Sequence, residues 1–121
     1  MKFTREAPTA TTIRSVGDGE ILVGNERWTQ TIAVTADGVI PDWNAGPIAG
    51  LTVADFDALL AVGPELIVLG TGGDHIIPPR DLVFAMARRG VGFEAMQTTA
   101  AARTFNVLVG EDRRVAAVLY V

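Results

Sequence analysis

The stretch Glu65-Leu66-Ile67-Val68-Leu69-Gly70-Thr71-Gly72-Gly73 decides the fold. An unbroken apolar run between turn residues fits a central strand covered on both faces. Downstream, Pro78-Pro79 opens a helix that runs to about Arg89, with Leu82, Ala85, Met86 and Arg89 on one stripe and Gly90 as its stop. Val91 to Met96 is a second buried-type strand. Thr98 or Thr99 caps a last helix to about Val109, with Ala101, Phe105 and Leu108 along one face. Arg114 to Val121 ends the chain as a strand. The order strand–helix–strand–helix–strand predicts an α/β domain in which strands 65–70 and 91–96 run parallel.

Upstream, Thr12–Val16 and Glu20–Gly24 flank Gly17-Asp18-Gly19, a β-hairpin signal. Trp28 to Val34 alternates as a third, half-exposed strand. Residues 38–50 hold three glycines, Pro41 and Pro47 and are expected to form a loop. Val39, Ile40 and Trp43 within it carry much apolar surface, either folded back as a lid or exposed as a partner contact. Thr52 caps a helix over about 53–62, with Asp55 and Asp57 near its positive end. Residues 1–10 are expected to be a loosely held arm, and 11–121 a single domain.

A chain of 121 residues with 49% hydrophobic and 20% charged residues has the composition of a globular domain. It contains no cysteine, which excludes disulfides, thiolate catalysis and Cys-ligated metal and makes the cytoplasm the expected location. No apolar run reaches the ~20 residues of a membrane span. The net charge of −4 and the lack of a basic cluster beyond Arg88-Arg89 and Arg113-Arg114 argue against nucleic acid.

The usual nucleophiles are scarce. Ser15 has no histidine near it in sequence, and a single His75 cannot build a zinc site. Asp42, Asp74 and Asp81 show no calcium spacing, so no metal or cofactor is expected. The turn Gly70-Thr71-Gly72-Gly73 follows a strand, where backbone N–H groups can meet an anion. It is neither a dinucleotide fingerprint, since position 75 is His, nor a phosphate loop, since the lysine is missing. Glu94, in a strand read as buried, needs a partner, for which Arg103, Arg113 and Arg114 are candidates. Arg103 and Asn106 share a helix face. Glu94, Thr98, Arg103 and Asn106 therefore line one polar cleft beside Gly70–Gly73, either as a structural network or as a ligand site. In the second case Arg103 binds an anion and Glu94, if desolvated, acts as a base.

Several strings occur together in order: Gly70-Thr71-Gly72, Pro78-Pro79, Gly92-Phe93-Glu94-Ala95-Met96, Gln97 to Asn106, and Glu111-Asp112-Arg113-Arg114-Val115-Ala116-Ala117. On these strings the chain resembles a family of small uncharacterised prokaryotic α/β domains related to mitochondrial complex I assembly factor 3. The resemblance implies a three-layer single domain with a mixed central sheet, an antiparallel last strand and additional N-terminal strands. It also implies a protein-binding role without catalysis, linked to assembly of a respiratory complex, with an unidentified protein as partner. A small anionic-ligand-binding protein or enzyme is the alternative. One departure stands out: family members often carry glycine where this chain has Asp112.

Overall fold

A computed structural model describes residues 11–40, 43 and 46–121. The expected arm over 1–10 lies outside the described residues. Two sheets carry the fold. The first is an antiparallel meander of β1 (Ile13–Gly17), β2 (Glu20–Val23) and β3 (Glu26–Trp28). Asp18 and Gly19 join β1 to β2 with φ of 54° and 73°. Positive φ at both positions is the two-residue hairpin turn whose twist matches the strands.

The second sheet has the order β5–β4–β8–β6–β7. Its members are β4 (Ile32–Thr35), β5 (Gly38–Ile40), β6 (Leu66–Gly70), β7 (Gly92–Met96) and β8 (Val115–Leu119). β6 is parallel to both β7 and β8, while β8 is antiparallel to β4. The sheet is mixed, as expected, and the antiparallel pairing of the last strand is with β4. Ile67, Val68 and Leu69 in β6 and all five residues of β8 are buried, because each strand has neighbours on both edges and layers on both faces.

Helix α1 (Asp57–Leu60) is a single turn that continues a 3₁₀ segment, Val53–Phe56. The expected helix over 53–62 is thus only partly α. The carboxylate of Asp55 accepts the Thr52 N–H at 2.8 Å and fixes the segment's start. α2 (Arg80–Arg88) and this segment lie on one face of the large sheet; α3 (Thr98–Gly110) and the small sheet lie on the other. One core joins Phe105, Ala101 and Ala102 of α3 to Ile13, Ile21 and Val23 of the small sheet and to Val68, Ala117 and Leu119. The other joins Phe56, Leu59, Leu82 and Met86 to Ile67, Leu69 and Val118. Phe56 and Phe105 are fully buried, each stabilising the fold by about 2–3 kcal/mol through removal of its ring from water.

Three expectations need correction. The strand read over Trp28–Val34 is broken at Thr29–Thr31, and its halves enter different sheets. β4, read as half-exposed, is buried on both faces because Ile32 and Val34 enter one core and Ala33 the other. The loop read over 38–50 begins as the edge strand β5, paired to β4. β7, read as buried, is an edge strand whose residues alternate in exposure.

Both longer helices end alike. Gly90 (φ 71°) follows α2, where the Val91 N–H donates to Met86 O and the Gly90 N–H to Ala87 O. Asp112 (φ 59°) follows α3, where the Arg113 N–H donates to Leu108 O and the Asp112 N–H to Val109 O. This is the Schellman ending, whose left-handed position favours glycine, so Asp112 stands where glycine carries no conformational cost. Asp112→Gly is expected to raise stability to urea by up to about 1 kcal/mol, and Asp112→Val to lower it by about 1–2 kcal/mol. A valine variant as stable as the parent would show that this turn imposes no left-handed constraint.

Candidate functional site

The carboxyl ends of β6, β7 and β8 lie side by side, the place where open α/β sheets collect ligands. A cleft of about 270 Å³ opens there, between Gly72, Gly73, Thr98 and Thr99 on one side and the β1–β2 turn on the other. Asp18 and Glu20 stand on the turn side.

Gly70 and Thr98 set its floor. A Cβ on Gly70 would meet Thr98 Oγ1 at 2.8 Å, Thr98 Cα at 3.0 Å and Leu119 Cδ2 at 3.1 Å. Glycine there lets the first turn of α3 lie directly on β6. Thr98 was expected as a cap, but Gln97 holds the capping position and Thr98 is the first helical residue. Its buried hydroxyl accepts the Gly72 N–H at 2.7 Å and donates to Tyr120 O at 2.7 Å. Its N–H donates to Gly72 O at 3.0 Å. One side chain therefore ties together the ends of β6 and β8 and the start of α3.

Thr71 is also buried. Its hydroxyl donates to Asp74 O and accepts the Ile76 N–H at 3.2 Å, folding the following loop back on itself. Gln97 Nε2 donates to Gly73 O at 3.0 Å. Gly72 has φ of 92°, which an L side chain would adopt only under strain.

Gly72, Gly73 and Thr98 thus meet at the cleft, with Gly70 and Thr71 beneath it. The other three candidates lie apart. Asn106 is a clamp: its Nδ2 donates to Ile13 O at 2.8 Å, and its Oδ1 accepts the Ile13 N–H at 3.0 Å. The amide takes the place of a neighbouring strand along β1. Arg103 is exposed and borders a second, smaller cleft with Arg14, Ser15 and Asn106. Glu94 is exposed on the edge strand and borders none of these clefts. No hydrogen bond or ion pair joins it to Arg103 among the described residues. Arg113 pairs instead with Glu65 at 3.1 Å, and Arg114 donates to Gly63 O. Glu94 does not join the cleft because β7 is an edge: among the described residues nothing beyond it buries Glu94 or pairs a cation with it. Ser15 and His75 are exposed, and the described residues hold no cluster of three metal-binding side chains.

Val39, Ile40 and Trp43 are half-buried against the cores, and Trp43 meets the Phe56 ring edge-on at 5.2 Å. Phe56 in turn meets Phe93 edge-on at 5.6 Å. Val39, Ile40 and Trp43 thus pack inward, and the Tyr120 hydroxyl donates to Gly46 O at 2.8 Å. Sequence reading missed Tyr120; an aromatic residue with a polar tip, one position beyond a buried strand, was the available signal.

Together these features define a small two-sheet α/β domain whose polar groups at the strand ends are bound to its own backbone. The chain belongs to the family described as "Protein of unknown function (DUF498/DUF598)", whose model matches residues 13–120. It is 31% identical over 117 residues to NADH dehydrogenase [ubiquinone] 1 alpha subcomplex assembly factor 3 of Bos taurus, covering 95% of this chain and 63% of that protein. It is 32% identical over 72 residues to the 13 kDa major membrane protein of Francisella tularensis, covering 60% of this chain and 58% of that one. The matches therefore span less than two thirds of either relative. The solution structure of Xanthomonas campestris XCC1710 superposes with a TM-score of 0.85 at 36% identity, covering 100% of this chain and 92% of that one. No helix among the described residues is long and apolar enough to cross a membrane.

Two measurements check this site. Thr98→Val removes a hydroxyl that satisfies one partly buried donor and one partly buried acceptor, and should cost about 1–2 kcal/mol in urea unfolding. A loss under about 0.5 kcal/mol would show that the bridge contributes nothing. Tyr120 is the only tyrosine, so its ionisation can be followed alone at the tyrosinate absorbance band. Burial, and next the Asp55 carboxylate, push its pKa up to about 12. The folded state thus holds the proton more tightly than the unfolded chain. Its stabilising contribution is complete below pH 10 and is lost as pH rises from 10 toward 12. A midpoint at the ordinary value in the folded protein would contradict the described seat of the ring.

Proposed function

We propose that this chain is a non-catalytic protein-binding module that acts in the assembly of a respiratory complex. The observation that carries this reading is the engagement of the Thr71 and Thr98 hydroxyls and the Asn106 amide with backbone groups. A general acid, base or nucleophile has to reach a substrate, and these groups face inward. The likeness to the bovine protein, named as an assembly factor, covers nearly all of this chain and supports the same direction. The absence of cysteine fits the reducing cytoplasm, and that location is part of the proposal.

One observation favours a second reading, a small anionic ligand. The N–H groups of Thr99 and Ala100, in the first turn of α3 beside the cleft, have no acceptor among the described residues. Against it, Asp18 and Glu20 face the same cleft, and Arg103 opens to a different one. The two readings separate in one pair of experiments. Amide shifts of Gly73, Thr99 and Ala100 are followed while inorganic phosphate is added, and the tagged chain is isolated at native expression level. The binding-module reading expects no saturable shift up to about 10 mM phosphate and a protein partner in near-stoichiometric amount. Saturation below about 1 mM with the bare protein recovered would favour the ligand reading.

A further inference from the structure

Large apolar side chains are exposed just before and along α2. Ile76 is 42% exposed, Ile77 81% and Phe84 52%. The backbone on both sides of Ile77 is restrained. Behind it, Thr71 binds the Ile76 N–H and Asp74 O. Ahead of it, Pro78 and Pro79 restrict the backbone, and the Pro79 carbonyl accepts the Leu82 and Val83 N–H groups to start the helix. Within α2, Leu82 and Met86 point into the core, so Phe84, about 200° around from Leu82, points straight out. Arg80 and Arg88 lie one turn before and after Phe84 on that outer face, whereas Arg89 caps the helix on the side of Leu82. None of these three arginines takes part in an ion pair among the described residues; the exposed Asp81, three residues before Phe84, flanks the same face, which keeps a net positive charge from Arg80 and Arg88.

Resting on the binding-module reading, we propose that Ile77 and the Arg80–Phe84–Arg88 face of α2 form the docking surface, and that its occupant is a protein groove with an apolar floor and a rim of carboxylates. Three considerations select this occupant. An exposed apolar side chain between a bonded turn and two prolines loses less backbone freedom on entering a groove than one on an unrestrained loop. Arginine and aromatic residues are the side chains concentrated at protein interfaces. The unpaired guanidinium groups on both sides of Phe84 call for carboxylates opposite them. A second copy packed antiparallel through Phe84 would set arginine against arginine. An anionic bilayer would repel the chain's net charge of −4 at long range.

The test uses the full chain in its native host, with a benzophenone amino acid replacing Ile77 or Phe84. A control carries it at Val107, 59% exposed on α3. After irradiation, positions 77 and 84 are expected to give one discrete protein adduct, at least about tenfold above position 107. The cross-linked peptide of the partner should carry Asp or Glu flanking an apolar attachment point. R80E combined with R88E should lower the adduct at least about tenfold without changing the melting temperature, while R80K combined with R88K retains most of it. Adducts no stronger than at position 107, adducts to phospholipid or to a second copy, or an adduct indifferent to charge reversal would each overturn the proposal. A discrete protein adduct from position 107 alone would remove this surface and keep the binding module. No protein adduct from any of the three positions would remove both.

Discussion

Much of the carboxyl end of the sheet depends on how closely α3 approaches β6. The separation is set by a missing atom: at Gly70 no Cβ intervenes between the strand and the Thr98 backbone. Only at that range can the Thr98 hydroxyl reach both Gly72 N–H and Tyr120 O at 2.7 Å. A hydroxyl has one proton to donate and lone pairs to accept, so both bonds are made without conflict. Each buried backbone group served in this way would otherwise cost about 1–3 kcal/mol to leave unpaired. Glycine at 70 and threonine at 98 therefore work as a pair, and neither substitution can be judged without the other.

From that anchor α3 acts as the hub between the sheets. Its inner face presents Ala101, Ala102 and Phe105, two small residues and one large one. The small residues permit close approach, and Phe105 fills the space shared by both layers. Two turns beyond Thr98, Asn106 binds the N–H and C=O of Ile13 and attaches the small sheet to the same helix. On the opposite face the packing is aromatic, Trp43 on Phe56 on Phe93, and holds the segment after β5 against the sheet.

The C-terminal half was legible because its signals were redundant. Apolar runs, proline starts and glycine stops all agreed, and β6, α2, α3 and β8 fall within a residue or two of their expected bounds. Where one signal stood alone, the reading was incomplete. The run from Val91 to Met96 has the hydrophobicity of a central strand, but whether a strand is central depends on what pairs beyond it, and that is a property of topology. Glu94 in the middle of that run was the local hint of an edge, since edge strands tolerate an exposed charge. Trp28 to Val34 alternates well enough for one strand, yet the chain turns from one sheet to the other within it. At the site, residue types indicated polar side chains but not their directions. Thr98, Asn106 and Arg103 are neighbours on one helix, and they face a strand end, a second sheet and solvent, respectively.

Those directions decide what kind of protein this fold makes. In an open α/β sheet the strand ends are the usual reactive surface because their backbone groups and side chains are left over after the sheet is built. Here little is left over. Gly72, Gly73, Thr71, Thr98 and Tyr120 all contribute groups to the closure of the loops after the strands. That closure has a second effect: the Thr71 hydroxyl ties the turn over residues 71–76, so the chain leaves the sheet toward Ile77 and the start of α2 from a bonded point. Beyond it an apolar side chain and the guanidinium groups of Arg80 and Arg88 are exposed, without ion pairs among the described residues. An exposed apolar side chain costs solubility wherever nothing covers it. The polar groups of the strand ends are thus engaged inside the domain, while apolar side chains and guanidinium groups are what the outer face of α2 presents to its surroundings.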